Sequence, residues 1–103
     1  MNLSRNFSLQ ELIKSDTAIR KGKAEAADFE CLGVDNAEVA DWVHMNCETD
    51  QLILEFYTPG EPNSGWIHAS YIPFQPRRQF MHAYKSEGKT KYKPIIGKAV
   101  DLV

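Results

Sequence analysis

Alternating apolar and polar positions in the middle of the chain predict a β-hairpin. In residues 50–70, DQLILEFYTPGEPNSGWIHAS, two runs with a period of two flank a loop rich in Pro, Gly, Asn and Ser. If Tyr57 pairs with Trp66, Glu55 falls opposite His68, and directly paired side chains have Cβ atoms roughly 4.5–5.5 Å apart. Such a pair is either the start of a metal or acid–base site or a solvated pair on the outer side of a half-buried sheet.

Helical spacing of apolar residues predicts two helices before this hairpin. The first helix starts near the N-terminus at a capping box formed by Ser8 and Glu11. The second helix covers residues 37–46, with Asp35 or Asn36 as its N-cap.

Further strands are predicted on both sides of the hairpin. Residues 26–32 form a strand of small residues that ends at Gly33, and residues 79–85 and 90–95 flank the turn sequence SEGK. Together these elements predict an α+β fold with a mostly antiparallel sheet of four to five strands and two helices. The chain length fits one domain over residues 1–103.

Composition narrows the classes of partner. The formal net charge is −2 and 43% of the residues are hydrophobic, which argues against nucleic-acid binding driven by charge. There is no apolar run of membrane-spanning length and no signal-peptide pattern, so we expect a cytoplasmic protein. Cys31 and Cys47 lack the spacing of a zinc knuckle or a disulfide framework, and we expect both to be buried thiols.

Several surface features have two interpretations each. Arg77 and Arg78 either bind an anion or belong to a solvated loop. Trp66 and Tyr71 either line a groove or pack within the sheet. Four lysines indicate a solvated edge hairpin that discourages pairing with other strands: Lys85, Lys89, Lys91 and Lys93.

Several segments resemble one family. AEAADFECLGVDN, DQLILEF, PNSGWIHAS and RRQ are similar, in this order, to the C-terminal half of the M15 zinc peptidases, which include D-Ala-D-Ala carboxypeptidases and endolysin-type enzymes of phages. The opening LSRNFSLQELIKSDTAIRKG resembles the N-terminus of the phage-type members. The resemblance therefore implies a truncated M15 peptidase-like fold whose central section has been deleted.

The resemblance also implies an incomplete zinc site. Carried over residue by residue, Asp28 and His68 are the zinc ligands and Glu55 is the general base that acts on metal-bound water. The position of the first ligand His is occupied by Lys21, whose ammonium has no lone pair to donate. A third ligand would have to come from another residue or from a second subunit, and the other histidines are His44 and His82.

We expect a phage-type, non-catalytic M15-like protein that binds a protein partner, with an inhibitor of a host defence system as one form of this function. The alternative is a zinc-dependent peptidoglycan peptidase with a rebuilt metal site. We expect no bound zinc in the first case, and either a homodimer or a strongly bound partner because the deletion uncovers one side of the sheet. The expected contact residues are Trp66, Tyr71, Arg77 and Arg78.

Overall fold

In the described part of the chain, six strands form one sheet, and a helix packs on one side of it. The computed structural model of the chain describes residues 19–21 and 24–103. The described elements are, in chain order, β1 (Ile19–Lys21), β2 (Ala24–Phe29), α1 (Asn36–Asn46), β3 (Gln51–Glu55), β4 (Trp66–Tyr71), β5 (Gln79–Ser86), β6 (Lys89–Pro94) and a 3₁₀ helix (Ala99–Asp101). The predicted α+β class with a mostly antiparallel sheet is confirmed. The predicted first helix, from Ser8, lies outside the described residues.

The strand order in the sheet is β1-β2-β4-β3-β5-β6. All neighbouring strands are antiparallel except β3 and β5, which are parallel. β2 and β3 both run antiparallel to β4, and α1 connects β2 to β3 along the chain. The described sheet has more than the predicted four to five strands because residues 19–21, in the region where the first helix was expected to fade, form β1. A strand of three residues is too short to show an alternating pattern.

The helix α1 begins and ends where its sequence favours it. The Asp35 side chain caps the helix by accepting a hydrogen bond of 2.9 Å from the Ala37 N–H. At the other end, the Cys47 N–H donates to the Val43 carbonyl oxygen at 2.9 Å. None of the described helices is both long enough and apolar enough to span a membrane.

One side of the sheet, here called the α1 face, carries the main core. Alternate residues of the central strands lie on this face and are fully buried, including Leu52, Leu54, Ile67 and Ala69. They pack against Val39, Ala40 and Val43 of α1 in one hydrophobic cluster. The opposite side, here called the outer face, carries the residues that alternate with these.

The central hairpin forms, but its predicted register is wrong. Trp66 pairs with Glu55 rather than with Tyr57, so that His68 faces Ile53. The ladder ends early because Phe56 has a φ of 57°, a left-handed conformation that interrupts a strand. Tyr57 then turns towards α1, where its hydroxyl donates to the Asp35 carboxylate at 2.9 Å.

Candidate functional site

Strand alternation places the residues implied by the M15 resemblance on the outer face. The neighbours of His68 in β4 are buried on the α1 face, so His68 itself projects to the outer face. In the sheet register His68 lies between Asp28 of β2 and Ile53 of β3. Glu55, two residues after Ile53 and paired with Trp66, lies on the same face.

Asp28 and His68 form a direct side-chain pair. The His68 Nδ1 lies 2.8 Å from the Asp28 Oδ1, and the two side chains are 27% and 57% exposed respectively. Because a carboxylate accepts hydrogen bonds, the Nδ1–H of the imidazole is the donor. This bond fixes the ring orientation and leaves the Nε2 of His68 as the nitrogen that can contact another molecule.

Glu55 is not the direct partner of His68. The pairing of Glu55 with Trp66 makes it a diagonal neighbour of His68, and diagonal neighbours in antiparallel strands lie roughly 7–8 Å apart. The predicted Glu55–His68 pair is therefore replaced by the Asp28–His68 pair. The centre of the outer face is apolar at Ile53, which is buried.

The two other histidines lie away from this pair. His82 pairs with Leu54 of β3 and shares the buried α1 face. His44 of α1 stacks on Phe80, with ring centroids 4.3 Å apart. Lys21 pairs with Ala24 in the β1–β2 ladder. Within the described part of the chain, no group of three or more His, Cys, Asp or Glu residues is arranged to hold a metal ion.

His82 is buried, and only one of its two ring nitrogens has a hydrogen-bond partner in the described part of the chain. Its Nε2 lies 3.1 Å from the Tyr57 carbonyl oxygen, which makes Nε2 the donor. Its Nδ1 has no partner among the described residues. Burial lowers the pKa of His82, the hydrogen bond to Tyr57 raises it in part, and the charge of Lys93 lowers it. His82 lies on the α1 face, across the sheet from Asp28 and His68, and therefore does not complete their site.

An aromatic corner formed by Phe56 and Trp66 ends the central hairpin on the outer face. The two ring centroids are 5.4 Å apart, and the Lys85 Nζ lies 5.4 Å from the Phe56 centroid. Gly65, with a φ of 67°, brings the backbone of the loop against β3, since a Cβ there would overlap the Glu55 carbonyl oxygen. The corner thus depends on two left-handed residues, Phe56 and Gly65.

The Arg77 side chain and backbone N–H are hydrogen-bonded to Asp50. Its Nη2 donates to the Asp50 Oδ2 at 2.6 Å, and its backbone N–H donates to the Asp50 Oδ1 at 2.8 Å. Asp50 is only 4% exposed. The hydrogen bonds from Arg77 hold the pKa of Asp50 below its usual value, and the carboxylate raises the pKa of Arg77. The pair fixes the crossing loop between β4 and β5.

The four expected contact residues do not form one patch. Trp66 and Tyr71 lie at opposite ends of β4, and Tyr71 packs against the core cluster. Arg78 is exposed beside Arg77, at the Tyr71 end of the sheet. Only Trp66 lies with Asp28 and His68 on the outer face.

Sequence reasoning missed Phe56 as a member of this site. Its position in an apolar alternating run predicts an ordinary core residue, and the left-handed backbone carries no strong signal in the sequence. The nearest signal is the Gly65-Trp66 dipeptide, because a glycine just before a strand often marks a close backbone approach. Predicting the corner requires knowing which segment Gly65 approaches.

Comparisons with protein-family models, curated proteins and solved structures gave no match to this chain. The resemblance to M15 peptidases rests on the sequence segments quoted above and stays a prediction. The candidate site is therefore defined by its own geometry: the Asp28–His68 pair, Glu55 and the aromatic corner on the outer face.

Proposed function

We propose that this chain is a non-catalytic binding protein that contacts a protein partner through the outer face of an M15 peptidase-like scaffold. The observation that carries the proposal is the aromatic corner, where Trp66 is 37% exposed and packs against Phe56. Tryptophan is enriched among the residues that dominate the binding energy of protein interfaces. His68 and Asp28 lie next to it along the same face and supply polar contacts.

The corner is suited to binding because its backbone conformation is fixed by close packing. Trp66 is a strand residue paired with Glu55, and Gly65 lies against the backbone of residues 55–57. A side chain that is already ordered loses little conformational entropy when it enters an interface. Trp66 is therefore the residue whose truncation should weaken binding most.

A zinc ion does not fit the described donors well. A catalytic zinc takes three protein ligands and one open position. The Asp28 carboxylate and the His68 Nδ1 are bonded to each other, and the M15 resemblance assigns the third ligand position to Lys21, which has no lone pair when protonated.

The alternative function is a zinc-dependent peptidoglycan peptidase. The observation that favours it is that Asp28, His68 and Glu55 share the outer face. The His68 Nε2 would be its metal-binding atom, and Asp28 would either ligate the ion or orient the imidazole. The third ligand would come from a second subunit or from residues outside the described part of the chain.

The resemblance to phage-type proteins suggests the class of partner. We propose that the protein acts in the cytoplasm and that its partner is a component of a host defence system, which it inhibits by occupying a surface. A homodimer that covers the outer face is the competing assembly. Measuring the mass in solution with and without the Trp66→Ala change separates the two, because a dimer formed through this face would dissociate.

The first experiment addresses the metal and the chemistry together. Protein purified without chelator is analysed for zinc and incubated with a peptidoglycan peptide. We expect zinc well below one ion per chain and no hydrolysis by the wild type, His68→Ala or Glu55→Gln proteins. One zinc per chain, together with hydrolysis that is lost in Glu55→Gln, would instead establish the peptidase.

The second experiment addresses the binding face. A photoreactive side chain is placed at position 55, beside Trp66, and at position 38 on the exposed side of α1 as a control. Irradiation of cells that produce the protein should give one discrete adduct from position 55 and none from position 38. The adduct should disappear when Trp66→Ala is added. Equal adducts from both positions would contradict the assignment of the face.

A further inference from the structure

The strand β6 forms one edge of the described sheet. It is last in the strand order, and it pairs only with β5 among the described strands. All of its residues are exposed except Thr90, which is half-buried, and Tyr92 is 55% exposed. An edge strand of this length presents unpaired backbone groups that can pair with another extended chain.

The hairpin turn determines which backbone groups point outward. Glu87 and Gly88 have φ values of 54° and 76° and connect Ser86 to Lys89, its direct partner, as in a two-residue turn of type I′. The closing pair of such a turn exchanges hydrogen bonds, and the alternation then directs the N–H and C=O groups of Thr90 and Tyr92 away from β5.

A hydrogen bond at the other end of the β5–β6 ladder agrees with this assignment of the outward-pointing groups. The Ile95 N–H donates to the Phe80 carbonyl oxygen at 2.9 Å. Ile95 lies an even number of residues from Lys89, so both belong to the set that bonds to β5. The outward donors and acceptors of Thr90 and Tyr92 are therefore about 6.6–6.8 Å apart along the strand, which is the spacing that a paired strand requires.

The side chains along this edge are strongly basic. Residues 84–94 contain four lysines and one glutamate, although the whole chain has a net charge of −2. Lys89, Lys91 and Lys93 alternate along β6 and therefore lie on one side of the sheet. A second copy of β6 paired here would place lysines near lysines, so these residues disfavour self-association through the edge.

We infer that the β6 edge binds an extended acidic segment of a partner protein, which adds to the sheet as a further strand. Its backbone would pair with the outward groups of Thr90 and Tyr92, and Asp or Glu at alternate positions would lie beside Lys89, Lys91 and Lys93. This surface differs from the outer-face corner at Trp66, and the inference stands independently of the proposed function.

The charge pattern favours an acidic peptide over a nucleic acid. Lys89, Lys91 and Lys93 project on the α1 face, because Lys93 pairs directly with His82. The three β6 lysines lie in a line with the period of a strand, and the outward amides can donate to peptide carbonyls. Both features match an extended polypeptide.

The experiment uses a synthetic peptide of ten residues with glutamate at every second position and valine or threonine between. We expect binding by fluorescence anisotropy and, by NMR, slower hydrogen exchange at the amides of Thr90 and Tyr92. Changing Lys89, Lys91 and Lys93 together to Gln should raise Kd about tenfold. Trp66→Ala should leave Kd unchanged, which separates this site from the outer face.

A proline at position 90 tests the backbone pairing directly. Thr90→Pro removes an outward N–H, and proline is tolerated on edge strands. The matched control Thr90→Val keeps the N–H but, like the proline, removes the hydroxyl that accepts from Lys85 at 3.0 Å. We expect binding to be lost in Thr90→Pro and kept in Thr90→Val, with both folds checked by the NMR spectrum.

Three results would overturn the inference. One is equal binding of a control peptide that has its glutamates grouped at one end. Another is binding without protection of the Thr90 and Tyr92 amides, which would indicate diffuse charge attraction. The third is absence of peptide binding under conditions where a single-stranded oligonucleotide of ten nucleotides binds, which would make the hairpin a nucleic-acid surface.

Discussion

Two histidines on opposite faces of the same sheet show that the α1 face serves the stability of the fold and the outer face is open to contacts with other molecules. His82, on the α1 face, is 7% exposed and has one ring nitrogen without a hydrogen-bond partner among the described residues. His68, on the outer face, keeps a carboxylate partner and has 27% of its side chain exposed. The α1 face thus accepts a histidine only as a neutral packing residue, whereas the outer face keeps its polar chemistry accessible.

The largest expected effect comes from two neighbouring substitutions in β3, which compare the two faces directly. Leu54 is fully buried on the α1 face, and Glu55 is half-buried on the outer face. Leu54→Ala should lower the free energy of unfolding by about 2–5 kcal/mol, because it removes buried methyl groups and leaves a cavity. Glu55→Ala should change it by less than about 0.5 kcal/mol. Urea unfolding measures both, and similar losses would contradict this difference between the faces.

A second test concerns the aromatic corner, where the outer face depends on backbone geometry. Gly65→Ala should lower the free energy of unfolding by about 2 kcal/mol or more, because the residue has a left-handed φ and its Cβ would overlap the Glu55 carbonyl. Gly60→Ala is the matched control, since Gly60 also has a positive φ but a Cβ there would have no described atom within 4 Å. It should cost about 1 kcal/mol. Equal losses would mean that the close approach does not hold the corner.

The pH dependence of the free energy of unfolding tests the role of His82 on the α1 face. Its pKa is lowered in the folded state, mainly by burial, so the unfolded chain binds a proton at a higher pH than the folded chain does. Stability from this group is therefore complete above its unfolded pKa of about 6.5 and is lost as the pH falls below that value. The loss is at most about 1.4 kcal/mol per pH unit.

The variant His82→Gln isolates this contribution. Urea unfolding at a series of pH values between 7 and 5 should show a smaller decline in the variant than in the wild type. The variant also loses ring packing, so the slope with pH is compared and not the absolute stability. Identical slopes would mean that His82 is protonated without cost in the folded protein.

Local patterns were sufficient to predict much of this fold. The Asp35 cap and the apolar spacing after it predict α1, and the SEGK turn predicts the β5–β6 hairpin. Each of these signals lies within a few residues of the element it specifies. The buried alternation of Leu52 and Leu54 likewise needs only a period of two.

Features that join distant segments could not be predicted in this way. The Asp50–Arg77 pair links residues 27 positions apart and depends on the parallel placement of β5 beside β3. The hairpin register was missed because Phe56 leaves the strand in a left-handed conformation. The proximity of Asp28 and His68, 40 positions apart, followed from the M15 resemblance and not from periodicity.

The smallest expected effect concerns the Asp28–His68 pair itself. Both side chains are partly exposed, and exposed ion pairs contribute about 0–1 kcal/mol because water screens the charges and ordering the side chains costs entropy. A double-mutant cycle with Asp28→Asn and His68→Gln, measured by urea unfolding, should give a coupling energy below about 1 kcal/mol. A coupling above about 2 kcal/mol would mean that the pair holds β2 to β4, and the outer face would then serve stability as the α1 face does. A small coupling would leave the pair available for contacts that only a bound partner supplies.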